Sequence, residues 1–180
     1  MVSTEQCYHM NSTSVDKHKF FPSNVFLDKW PHYLFFDPDW VFSPDFIRFC
    51  LDVTKHESNC IIEITDLDEI DSTLLINAET TWESFHKHIV GNNFNGWLYD
   101  AHRFFISSSS QCWCIYLERS VEIAIFAHKE GCNESIISFA EETFKAKPIA
   151  TMAIEKDITA FAIRNEGDPF IIELINSYSI

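Results

Sequence analysis

The stretch Trp97 to His128, WLYDAHRFFISSSSQCWCIYLERSVEIAIFAH, decides the fold. Trp97 to Ile106, Cys112 to Glu118 and Val121 to His128 are rich in β-branched and aromatic residues, which suit a pleated, half-buried surface. The serines Ser107 to Ser110 supply one turn and Arg119-Ser120 a second, tight one. The three segments therefore read as an antiparallel meander. With a two-residue loop at Arg119-Ser120, Glu118 faces Val121, Leu117 faces Glu122 and Trp113 faces Phe126.

Upstream of the meander, Tyr33 to Asp37 reads as a first buried strand. Ser43-Pro44-Asp45 follows as a helix start, with Ser at the cap, Pro at the first helical position and Asp near the positive end of the dipole. The helix Pro44 to Val53 places Phe46, Phe49, Cys50 and Val53 on one face. Cys60 to Thr65 and Leu74 to Asn77 read as strands. Thr80-x-x-Glu83 matches a capping box and Gly91 a helix stop, which predicts a helix over Thr81 to Val90.

Downstream, Gly131 to Asn133 breaks the chain and Glu134 to Lys145 reads as an amphipathic helix with Ile136, Ile137, Ala140 and Phe144 inward. Ile149 to Ile154 and Ile158 to Ile163 read as a C-terminal hairpin, and Asp168-Pro169 opens a last helix. The expected fold class is α+β: a mainly antiparallel sheet, the central meander plus the C-terminal hairpin, packed with several helices. A length of 180 residues fits one domain over 1–180. Residues 1–24 are polar and expected to be loosely ordered. Phe20, Phe21, Phe26 and Trp30 imply docking on the core before residue 32.

Charge narrows the function. The 27 acidic residues against 13 basic ones give a formal net charge of −14. Such a surface repels phosphate backbones and anionic membranes, and it attracts a basic protein. The start of the chain shows no basic region followed by an apolar one, and no apolar run approaches the ~20 residues of a membrane span. A cytoplasmic location is the expectation, with the six cysteines as reduced thiols.

Catalytic and ligand-binding patterns are thin. Cys112-x-Cys114 places two thiols on one strand face, but it is not the usual zinc knuckle, and on a helix His86 and His88 diverge. Asp66-x-Asp68 resembles a calcium loop without the required Gly or the final acidic ligand. The four glycines write neither a phosphate loop nor a dinucleotide fingerprint. No cofactor or metal is expected. Asp100, His102 and Cys132 are the residues an enzyme would use, with Asp100 and His102 sharing a strand face.

The acidic segment Asp66, Asp68, Glu69 and Asp71 is the most informative feature. Carboxylates this close repel one another, and a loop in solvent tolerates that at little cost. A docking surface for Lys and Arg would relieve it on binding. Asp37 and Asp39 around Trp40 form a second patch, with Trp40 as an exposed anchor between Pro38 and Pro44. These seven residues are the expected partner-binding set.

Trp97-Leu98-Tyr99-Asp100, and then Cys112 through Ala124, also resemble a pattern of bacterial toxin-immunity proteins, those of contact-dependent growth inhibition and related polymorphic toxins. The shared sense is a Trp-bearing strand, a tight Glu-Arg turn and a second strand opening with Glu and aliphatics. The resemblance spans about thirty residues and carries no catalytic residue. It implies a small acidic cytoplasmic antitoxin that masks or plugs a toxin domain, often a basic nuclease. A small enzyme and an acidic DNA-mimic inhibitor are the rival readings.

Overall fold

The computed structural model describes residues 14–57, 60–69, 72–91, 96–165 and 167–179, with the side chains of Leu98 and Asp100 set aside. Six strands form one antiparallel sheet: β1 (His32–Phe36), β2 (Ile62–Asp66), β3 (Thr73–Ile76), β4 (Arg103–Ser108), β5 (Trp113–Glu118) and β6 (Ile123–His128). Their spatial order is β1-β6-β5-β4-β2-β3. The helices are α1 (Pro44–His56), α2 (Trp82–Val90), α3 (Trp97–Asp100), α4 (Glu134–Thr143), α5 (Ile149–Glu155), α6 (Thr159–Ala162) and α7 (Pro169–Tyr178). The fold class is α+β, as expected.

Both faces of the sheet are covered, which explains why β5 and β6 are buried along their whole length. Ile62, Ile64, Phe104, Trp113, Ile115 and Phe126 lie under α1, α2 and α4, where Phe46, Phe49, Phe85, Ile136 and Phe144 close the first core. Phe35, Phe105, Tyr116, Ile123 and Ile125 lie under α5, α6 and α7 in the second. The remaining cover of this second face is the segment 14–30, a strap closed by the Val15–Phe26 bridge. Residues 14–24 are thus docked through Val15 and Phe21, against the expectation of loose order. Residues 1–13 lie outside the described part.

The expected C-terminal hairpin is replaced by two helices, α5 and α6. Lys147 exchanges both backbone hydrogen bonds with Phe35 at the edge of β1, and Pro148, lacking an N–H, ends that pairing at once. Ile149 and Met152 then point inward at helical spacing, as do Ile158 and Phe161, while Ile154 and Ile163 are exposed. Apolar content alone suggested strands there; the three-residue spacing is the helical signal.

Three local expectations shift. Trp97 to Asp100 is a helical turn, so the strand begins at Arg103. Trp97 and Phe104 both enter the first core, their rings 5.3 Å apart. In one continuous strand their odd separation would put them on opposite faces. The Arg119–Val121 segment is a 3₁₀ turn followed by Glu122 at φ 61°, which lengthens the loop, so Glu118 pairs with Ile123 and Trp113 with His128. The shift is two residues, which leaves every side chain on its expected face. Trp113 still stacks on Phe126 diagonally at 5.8 Å. The capping box belongs to Thr81 and Ser84, not Thr80 and Glu83: Thr81 Oγ1 accepts from the Ser84 N–H at 3.2 Å, and Ser84 Oγ accepts from the Thr81 N–H at 3.1 Å.

Helix α2 stops at Gly91, whose φ is 69°. Gly96 donates its N–H to Val90 O at 3.0 Å, and a Cβ there would sit 2.3 Å from the Ile89 carbonyl oxygen. Only glycine admits that approach, which sets α3 against the end of α2.

Candidate acidic rim

Strand order and direction bring the expected site residues together. β1, β5 and β2 end, and β6, β4 and β3 begin, at the same edge of the sheet. The segments 37–43, 66–69, 97–102 and 119–122 therefore form one rim. β1 and β2 stand four strand steps apart, so the two acidic patches are separated by roughly 19 Å.

Within the rim the acidic residues differ in role. Asp66, expected in solvent, is only 1% exposed. Its Oδ1 accepts the Asp68 N–H at 2.9 Å and so folds the loop on itself. Burial pushes its carboxyl above the usual range, against the loop N–H groups of Asp68 and Glu69, which favour the charge. Asp68 points back to Arg103: Oδ1 lies 2.7 Å from Nε and 2.6 Å from Nη2, and Oδ2 accepts the Arg103 N–H at 3.0 Å. Both residues hold the loop in place; Asp68 remains exposed while it does so, and Glu69 is exposed beside it. Asp71 lies outside the described residues.

In the other patch, Asp37 caps a 3₁₀ turn at Pro38–Phe42 by accepting the Asp39 N–H at 2.9 Å. Asp39 is exposed. Trp40, expected as an exposed anchor, is half-buried, its ring 6.5 Å from Phe144. Sequence reasoning missed Glu122, which the left-handed turn presents in solvent between the two patches, and Tyr99, 46% exposed on α3. The positive φ at Glu122 has no signature in its residue type, since Gly or Asn is the usual occupant.

Beneath the rim sits a buried polar network. Glu118, 4% exposed, accepts the Phe21 N–H at 3.1 Å and the Tyr116 hydroxyl at 3.2 Å on Oε2, and the Ser120 hydroxyl at 3.0 Å on Oε1. Burial, and then the Glu118 carboxylate, push the Tyr116 hydroxyl far above its ordinary value. Burial works against the charge on Arg103, but the Asp68 carboxylate outweighs it and holds the guanidinium charged. Arg119 lies over the Phe42 ring at 5.2 Å and donates to Ala101 O.

The trio suited to catalysis is not assembled. His102 is exposed at the rim, whereas Cys132 follows β6 beyond the opposite edge, on the order of 20 Å away by strand length. Asp100 lies on helix α3, not on a strand shared with His102, and its side chain lies outside the described part. Burial raises the Cys132 thiol to about 11, so it stays protonated at neutral pH.

Cys112 and Cys114 do not share a strand face. Cys112 sits at a bend before β5 and packs on the first core, and Cys114 points into the second. His86 and His88 diverge along α2, one against Trp82 and the other against Trp97. Among the described residues no group of three or more His, Cys, Asp or Glu is placed to hold a metal ion. No helix among them is long and apolar enough to cross a membrane.

A concavity of about 210 Å³ lies away from the rim between α5, α6 and α7. Ile154, Phe161, Ile171 and Ile175 line it, with Lys156 and Arg164 at its edge. No carboxylate, thiol or imidazole faces it from the described residues. No family model, curated protein or solved structure matches the chain.

Proposed function

We propose that this chain is an immunity protein that binds a basic toxin domain, a nuclease by the chemistry it would mask, and neutralises it in the cytoplasm by occupying its substrate-binding surface. One observation carries this reading: Asp39, Glu122 and Glu69, remote in sequence, stand exposed along one rim of the sheet in a chain of net charge −14. A row of carboxylates over about 19 Å complements a cationic groove shaped for a phosphate backbone. The rim is held from beneath by Arg103, Glu118 and Asp66, so it meets a partner with little ordering left to do.

The resemblance of the Trp113-bearing strand to toxin-immunity proteins also supports this reading, and His102 and Cys132 lie at opposite ends of the sheet. The test is co-expression with basic domains encoded beside this chain's gene, wherever a neighbouring reading frame encodes one. Protection of growth, and a one-to-one complex on gel filtration that weakens as salt rises, are expected. Unprotected growth together with no complex at low salt would overturn the proposal.

A further inference from the structure

Arg103 is 8% exposed, and its side chain is shared between two segments that sequence alone does not connect. On one side Nε and Nη2 hold the Asp68 carboxylate, while the Arg103 backbone accepts the Leu67 N–H at 3.0 Å and donates to Asp68 Oδ2. On the other side Nη1 donates to the Lys17 carbonyl at 2.9 Å, and the guanidinium lies 4.1 Å from the centre of the Phe20 ring. One strand over, Glu118 takes the Phe21 N–H, so the strap is tied twice to the strands that carry the rim.

We propose that Arg103 is a positioning residue through which the strap sets the acidic loop 66–69, so that strap and loop close over one guanidinium and open together. A planar guanidinium has donors enough to serve the carboxylate and the carbonyl at once, in a fixed geometry. If the strap lifts, the guanidinium loses Lys17 and Phe20 and gains water. Its grip on Asp68 is then weakened by solvent. Conversely, a loop pulled away leaves the buried cation without its carboxylate, and the cation must turn outward through the strap. A ligand on the loop therefore tightens the strap, and release of the strap loosens the loop, by the same factor in each direction. The bearing on partner binding rests on the function proposed above; the coupling itself belongs to the free protein.

Amide hydrogen exchange on the free protein tests it. Asp68→Asn is expected to speed exchange of the strap amide of Phe21 as well as the loop amide of Leu67, roughly 5-fold or more. Phe20→Ala, made in the strap, is expected to speed Leu67 in return. Arg103→Lys should match Asp68→Asn, because an ammonium cannot span both partners. In the double variant of Arg103→Lys and Asp68→Asn, the strap should be no looser than in either single one. Glu69→Gln, one residue along and exposed, should change neither segment.

Strap amides that keep wild-type rates in Asp68→Asn while loop amides accelerate would overturn the proposal, since the two then move independently. Equal acceleration in the core of α4, at Ala140, would overturn it too, as global loosening. Because no partner is present, these outcomes stand apart from success or failure of the immunity reading.

Discussion

Arg103 and Glu118 stand directly opposite each other on β4 and β5, both buried, yet they do not pair with each other. Arg103 turns to Asp68 and the strap, and Glu118 turns to Phe21, Tyr116 and Ser120. The Tyr116 hydroxyl stands between them, donating to Glu118 and interacting with the Arg103 guanidinium, so both charges are satisfied without a direct ion pair, the condition under which a buried charge is tolerated.

Glu118→Ala is therefore expected to destabilise through orphaned donors, not through a lost ion pair. The Phe21 N–H and the Tyr116 hydroxyl lose their acceptor, at about 1–3 kcal/mol for each group that stays buried. Glu118→Gln keeps an acceptor oxygen for them and should cost clearly less. Urea unfolding with a common slope for both variants reads the difference. Equal losses would show that the charge itself matters more than the acceptors.

Asp66 gives a pH prediction of definite sign. Its folded-state pKa is raised above the ordinary value of 3.8, first by burial, so the folded protein takes up this proton before the unfolded chain does. The shift thus costs stability at neutral pH, and that cost is relieved as pH falls through the folded value towards 3.8. Asp66→Asn keeps an oxygen for the Asp68 N–H and removes the buried charge. It should leave stability at pH 7 equal or higher, and the gap to wild type should narrow on acidification. A variant that is less stable at pH 7 than at pH 4, relative to wild type, would contradict the sign.

How much of this was legible in the sequence differs from residue to residue. The face Phe46, Phe49, Cys50 and Val53 was readable because helical spacing survives any tertiary context, and all four are buried. The meander was readable because its strands are apolar without interruption. The C-terminal segments were not, since Ile149 to Ile154 is apolar enough for either state and the deciding event is the Phe35–Lys147 bridge, a contact across more than a hundred residues. The rim was half legible. Acidic residues announce themselves, but what each one does depends on partners far along the chain: Asp68 and Glu69 are both exposed, yet Asp68 is claimed by Arg103 and Asp66 is buried beneath the loop. Glu122 reaches the rim only because a loop two residues longer than expected turns it outward.

The final prediction concerns the exposed rim itself. Replacing Asp39 and Glu69 by Asn and Gln, together with Glu122→Gln, removes three charges that bind nothing in the core. Melting temperature should stay within the small range of surface changes, and relief of like-charge repulsion favours the variant. Exposed pairs contribute ~0.2–1 kcal/mol each, so partner affinity should fall between about 3-fold and about 150-fold. Most of the electrostatic part should appear as slower association with a flatter salt dependence, because rim charges steer encounter more than they hold the complex. His102→Ala and Cys132→Ala separate this from turnover. An inhibitor needs no chemistry, so raising the expression of a weakened rim variant should restore protection by mass action. If Cys132→Ala, fully folded, abolished protection at every expression level while the triple rim variant protected normally, the rim would not be the working surface. The buried thiol, pushed up to about 11 by its surroundings, would then have to act in a state this fold does not hold.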